Sequence, residues 1–143
     1  MPELTQVRTS LEVGFPEGGL PVRFEKFRGR TWRAVGAVAE LPFEDEQFEV
    51  VMMDGKVVSR ASVREAHRVL RPDGRLYFTV PEKTKSQDGY SLPDVYSLVR
   101  EGFNIVDVER PAWWLFGRRG RTLTICAQKK TWRMMSNSYR PYV

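Results

Sequence analysis

The chain has 143 residues, 41% hydrophobic and 29% charged, with a net charge of +5. That is the size of one domain with one core, and its 4 Trp, 5 Tyr and 8 Phe set it apart from a disordered composition. No apolar run reaches the roughly 18 residues of a membrane-spanning helix. The N-terminal MPELTQVRTS lacks the apolar centre of a signal peptide. A single cysteine, Cys126, excludes an internal disulfide and a cysteine-based zinc site. These features fit a reducing, cytoplasmic setting.

Taken along the chain, Val7, Thr9, Leu11, Val13 and Phe15 alternate with polar or small residues, the period of a strand. Pro16-Glu17-Gly18-Gly19 ends it as a turn. Leu20, Phe24 and Phe27 stand at helical spacing over Leu20 to Arg28, although Val22, Phe24 and Lys26 read equally as a strand that would close a hairpin. Thr31 to Val38 is the next strand. Phe48 to Met53 is a continuous apolar run, as expected of a strand buried on both faces of a parallel sheet. Ser62 can cap a helix running to Leu70, with Glu65 three places on as in a capping box. Pro72-Asp73-Gly74 stops that helix, and Arg75 to Val80 is a further strand. Lys83 to Ser91 reads as a polar loop and Leu92 to Glu101 as a helix ended by Gly102. Phe103 to Val108 and Thr122 to Ala127 are the last two strands, and no helix is expected between them.

This alternation predicts an α/β layered sheet, mostly parallel, with an antiparallel pair at one edge. No internal repeat and no second domain is visible, so residues 1–143 are expected to form one domain, with 131–143 as a basic aromatic tail.

The stretch from Ala37 to Glu82 carries a Leu41-Pro42-Phe43 turn, an acidic loop, the strand FEVVMMD, a helix ending Arg68-Val69-Leu70-Arg71-Pro72-Asp73-Gly74, and the strand RLYFTV. In this order and spacing it resembles the second half of the class I S-adenosylmethionine-dependent methyltransferases, in the ubiquinone/menaquinone-like branch. The resemblance implies a Rossmann-like sheet and methyl transfer from S-adenosylmethionine to a small molecule. In that family an acidic residue and a Gly-x-Gly-x-Gly turn follow the first strand. Glu12, Gly14 and Gly18 match this pattern, with Gly19 beside them, and Pro16 replaces the middle glycine. Proline has a fixed φ and no N–H, so the turn loses two properties useful for holding a ligand.

The resemblance further implies cofactor contacts from Glu40, Leu41 and Met53, and a catalytic position for Asp54. From the residues alone, Asp54 reads either as a group orienting or deprotonating an acceptor or as a cap on a loop. The family's second strand ends in an acid that binds ribose hydroxyls; Val38 or Ala37 stands in the acidic positions here, depending on the alignment. Only 26 residues separate Gly14 from Leu41, too few for two strand–helix repeats of roughly 30 residues. A strand and a helix are therefore expected to be missing. The alternative to an enzyme is a binding or dimerisation module that keeps the sheet without the cofactor pocket.

Charge is unevenly spread. Arg110 to Val143 holds eight Lys or Arg, no Asp or Glu, and six aromatics, which leaves residues 1–109 at about −3 (+5 less 8). Such a segment suits an anionic partner or an interface. Trp113, Trp114, Arg118, Arg119 and Arg121 are the candidate contact residues, with a homo-oligomer favoured over nucleic acid or a membrane surface. His67 is the only histidine, and it is expected to pack at the edge of its helix.

Overall fold

The computed structural model describes residues 8–16, 18–35, 39–110 and 121–130. The elements are β1 (Thr9–Val13), α1 (Val22–Glu25), β2 (Arg30–Ala34), β3 (Phe48–Asp54), a 3-10 turn (Gly55–Val57), α2 (Arg60–Val69), β4 (Leu70–Pro81), α3 (Leu92–Val99), β5 (Phe103–Glu109) and β6 (Thr122–Lys129). The strands form one sheet in the order β2-β1-β3-β4-β6-β5. β1 pairs parallel with both β2 and β3, β3 pairs parallel with β4, and β6 runs antiparallel to β4 and β5. This is the Rossmann-like α/β sheet with the expected antiparallel pair.

Strand periodicity sends alternate side chains to opposite faces. Leu11 and Val13, Val51 and Met53, Leu76, Phe78 and Val80, and Leu123, Ile125 and Ala127 all pack on one face, against Val63, Ala66 and Val69 of α2 and Val95 and Val99 of α3. Val50, Met52, Tyr77 and Cys126 face the other way, beneath Phe15, Leu20 and Phe24. Each large apolar side chain so buried contributes about 1.5–3 kcal/mol. The second face has less cover, because α1 is a single turn of four residues.

Several expectations are corrected. Val22–Glu25 is helical rather than extended, so the strand alternative and a hairpin over residues 7–26 fail, and the strand that pairs with β1 is the parallel β2. β2 ends at Ala34, and Val38 lies outside the described residues. β1 alternates in sequence, yet Ser10 and Glu12 are as buried as Leu11 and Val13, because β1 is flanked by strands and its polar positions find partners. Ser10 Oγ meets Thr31 Oγ1 at 2.8 Å.

The cap of α2 is Ser59 rather than Ser62. Ser59 and Ser62 form the capping box, each side chain accepting from the other's backbone N–H (3.1 and 2.8 Å). Glu65 is thereby free for another contact. Pro72-Asp73-Gly74 is not a separate stop: β4 starts at Leu70, opposite Phe48, and absorbs the turn as an irregularity with Asp73 at φ 64°. The 83–91 loop is partly ordered by the bridges Glu82–Tyr90 and Thr84–Gln87.

Candidate functional site

In an open α/β sheet, ligands bind outside the carboxyl ends of the strands where the strand order reverses. Here that point lies above β1 and β3, because the chain passes from β1 to β2 on one side and later returns to β3 on the other. Gly14 leaves β1 at this place with φ 83°, and its N–H donates to the Ala34 carbonyl at 2.8 Å. A Cβ there would stand 2.7 Å from Val57 Cγ2 and 3.4 Å from Asp54 Cβ. Both the conformation and the space therefore require glycine.

Beyond Gly14 the chain turns down instead of out. Phe15 is buried and meets Phe24 edge-on, with centroids 6.4 Å apart. The Gly19 N–H donates to the Pro16 carbonyl at 2.8 Å and closes the turn on itself, with Gly18 at φ 72°. Glu12 points to the α1 face, where Arg28 Nε donates to its carboxylate at 3.1 Å. With its side chain only 4% exposed, that carboxylate is committed to the ion pair.

Asp54 ends β3 half-buried. Its Oδ1 accepts from the Lys56 N–H at 3.0 Å, which caps the 3-10 turn. Of its two sequence readings the cap is thus realised. Met53 lies wholly in the core, so only its backbone reaches this end of the sheet. Glu40 is exposed.

Leu41 is held at both ends. Its N–H donates to Glu65 Oε1 (2.7 Å), and its carbonyl accepts from Arg68 Nη2 (2.9 Å). Arg68 Nη1 also donates to the Phe43 carbonyl (2.8 Å) and to Asp45 (2.9 Å), and Arg68 pairs with Glu65 (2.9 Å). The hydrogen bond from Arg68 holds the Glu65 carboxyl below its usual range, and Arg68 is held more firmly protonated in return. Glu65 and Arg68 therefore fix the 41–45 loop beside the strand ends. The Glu-x-x-Arg spacing in α2 was the signal for it.

β2 ends in Ala34, with Val35 exposed beyond it, so no carboxylate stands at its end. Arg33 does lie there: its Nη2 donates to the Phe15 carbonyl at 3.0 Å, bracing the glycine turn, a role that its isolated position in the sequence did not signal.

Glu12, Gly14 and Asp54 are thus brought to one end of the sheet, with Leu41 fixed from α2. Ala37, Trp113, Trp114, Arg118 and Arg119 lie outside the described residues. Arg121 is described; its carbonyl accepts from the Glu82 N–H (3.0 Å) and from Gln87 Nε2 (2.9 Å). Arg110, at the start of the basic segment, pairs with Glu82 at 3.0 Å. Among the described residues no group of three or more His, Cys, Asp or Glu is placed to hold a metal, and no helix is long and apolar enough to cross a membrane.

The comparisons agree with this geometry. Residues 22–78 match the model of a methyltransferase domain, from α1 into β4, a span that begins after the glycine turn. No curated protein matches the sequence. Among solved structures, the chain is similar to the 1,6-didemethyltoxoflavin-N1-methyltransferase of Burkholderia thailandensis, a complex with S-adenosylhomocysteine. That match has a TM-score of 0.62 and 19% identity, covering 91% of this chain and 74% of that one. An S-adenosylmethionine-dependent methyltransferase of Methanosarcina mazei matches with TM-score 0.60 and 15% identity, over 86% and 92% of the two chains. The (4+2)-cyclase SpnF matches with TM-score 0.65 and 16% identity, over 87% and 75%. Sheet order and these structural likenesses show the Rossmann-like α/β fold that such methyltransferases share, and the methyltransferase-domain model matches 57 of the 143 residues.

Proposed function

We propose that this protein binds S-adenosylmethionine weakly at the carboxyl ends of β1 and β3 and transfers its methyl group to a small molecule. The observation that carries this reading is Gly14, which leaves β1 at the switch point with φ 83°, within a Cβ's reach of Asp54. The residues present fit the donor in part. The backbone at Gly14 and the Asp54 carboxylate stand at the strand ends where it would bind, while Glu12 is tied to Arg28 and Pro16 offers no N–H. Weak affinity follows from these two losses.

The donor supplies an activated methyl group, whose transfer depends mainly on holding donor and acceptor in line. Asp54 is the group that would orient the acceptor, and Leu41, held by Glu65 and Arg68, would form the wall beside it. A fold shared with a cyclase as well as with methyltransferases does not itself fix the reaction.

Calorimetric titration with S-adenosylmethionine tests the reading. Binding at tens to hundreds of micromolar that Gly14→Val abolishes is the expected result. Binding that Gly14→Val leaves unchanged contradicts it.

The Glu12–Arg28 pair favours a second reading, because it uses the acid that the cofactor would need. On that reading the chain is a non-catalytic module that associates through its basic aromatic segment, with Trp113 and Trp114 at the centre of the contact. Complete absence of binding at millimolar cofactor, with dimers that a Trp113→Ser/Trp114→Ser variant loses in sedimentation, is its expected signature.

A further inference from the structure

A second cavity, of about 310 Å3, lies between α2 and the α3–β5 turn, on the face of the sheet opposite α1. Its size is at the lower end of small-ligand pockets, ~300–1,000 Å3. Arg60, Val63, Arg64 and His67 line it from α2 at the i, i+3, i+4, i+7 spacing of one helix face. Across from them, Leu98 and Phe103 give it an apolar floor.

Its polar groups are unspent. Arg60 and Arg64 make no side-chain hydrogen bond or ion pair among the described residues. Like charges four residues apart oppose a helix. So do cations in its first turns, and α2 has no acid in its first turn to offset them. Glu101, the one carboxylate lining the cavity, pairs with neither arginine.

At the inner end, the His67 ring stands edge-on to Phe103 (5.4 Å, 86°) and against Gly102, whose lack of a side chain makes the room. Its Nε2 is buried and has no hydrogen-bond partner among the described residues. Burial, and then the charge of Lys129, push the imidazole below its usual pKa.

We propose that this cavity binds a small monocarboxylate with an apolar body. The carboxylate sits between Arg60 and Arg64, and the apolar part lies over Val63, Leu98 and Phe103 with His67 at its end. Two guanidinium groups against one carboxylate leave a single positive charge, which suits a monoanion. The apolar floor favours an organic acid over a bare oxyanion. Guanidinium is the side chain best shaped to take a carboxylate by two parallel hydrogen bonds.

The test uses sodium phenylacetate, neutral phenylacetamide and inorganic phosphate, titrated into the full chain by proton NMR. The single histidine gives one set of ring signals that report from inside the cavity. Phenylacetate is expected to shift the His67 signals saturably. Phenylacetamide should bind at least about tenfold more weakly, and Arg60→Gln/Arg64→Gln should weaken phenylacetate by about tenfold. Both arginines are exposed, so the double variant keeps its fold, which its unchanged amide spectrum confirms. No saturable His67 shift by about 10 mM phenylacetate overturns the proposal. So does equal affinity for the amide, or undiminished affinity in the double variant. Phosphate binding as tightly as phenylacetate would overturn the apolar part of the site.

Discussion

The two ends of the 41–70 segment and the 12–34 segment meet the same physical problem and solve it differently. Each must pin a loop beside the strand ends. Around α2, Arg68 and Glu65 together satisfy the Leu41 N–H and the carbonyls of Leu41 and Phe43, with Asp45 at the rim. Around β1, the turn from Gly14 to Gly19 is held among the described residues by the Gly14 N–H to the Ala34 carbonyl, the Gly19 N–H to the Pro16 carbonyl, one hydrogen bond from Arg33 and the burial of Phe15, while Glu12 pairs with Arg28. The first loop is built for position. The second is built for closure. The methyltransferase-domain match spans the first loop and starts after the second.

That contrast can be broken at its strongest point. Arg68→Ala removes four acceptors' partner at once and strands the 41–45 carbonyls; a loss of about 2–4 kcal/mol is expected from urea denaturation. Arg28→Ala deprives Glu12 of its partner, yet Arg28 is 43% exposed at its side chain and water can follow it in. A loss of about 1–2 kcal/mol is expected there, and a cost equal to that of Arg68→Ala would erase the distinction between the two loops.

Proton linkage gives a smaller effect. The folded chain holds His67 below its ordinary value of 6.5, so the folded state binds fewer protons than the unfolded chain. Its stability contribution is full above pH 6.5 and declines as pH falls from there through the lowered value. Denaturation midpoints should drop between pH 7.5 and 5.5, and His67→Phe should flatten that drop. Glu65 acts lower: its contribution is complete above about 4.5 and is lost as pH falls through its depressed value. The smallest effect is expected at Val22, 80% exposed on α1, where Val22→Lys should change stability by no more than about 0.5 kcal/mol.

How much of this was legible in the sequence follows from which forces are local. The β3 strand is a run of apolar residues buried on both faces, and its pairing with β4 through a connecting helix needs only that run and the spacing to Leu76–Val80. α2 was legible from its apolar stripe, but its start was not, since Ser59 and Ser62 both suit an N-cap and only the geometry of the turn at Gly55–Val57 selects the first. β1 misled because alternation normally marks one wet face, whereas Ser10 and Glu12 are buried against Thr31 and Arg28, partners 21 and 16 residues away. At the candidate site, Gly14 and Asp54 were legible as a motif and a strand end. The Glu12–Arg28 pair and the brace from Arg33 were not, because nothing in the local sequence says which arginine a buried acid will meet.

The most direct test of a weakened cofactor site at the β1/β3 switch point is a titration with S-adenosylhomocysteine followed through backbone amide signals. The account predicts saturable shifts centred on Gly14 and on the Asp54–Lys56 turn, with a Kd weaker than about 10 μM (roughly −7 kcal/mol). Low-micromolar binding, or shifts centred away from those residues, would contradict it.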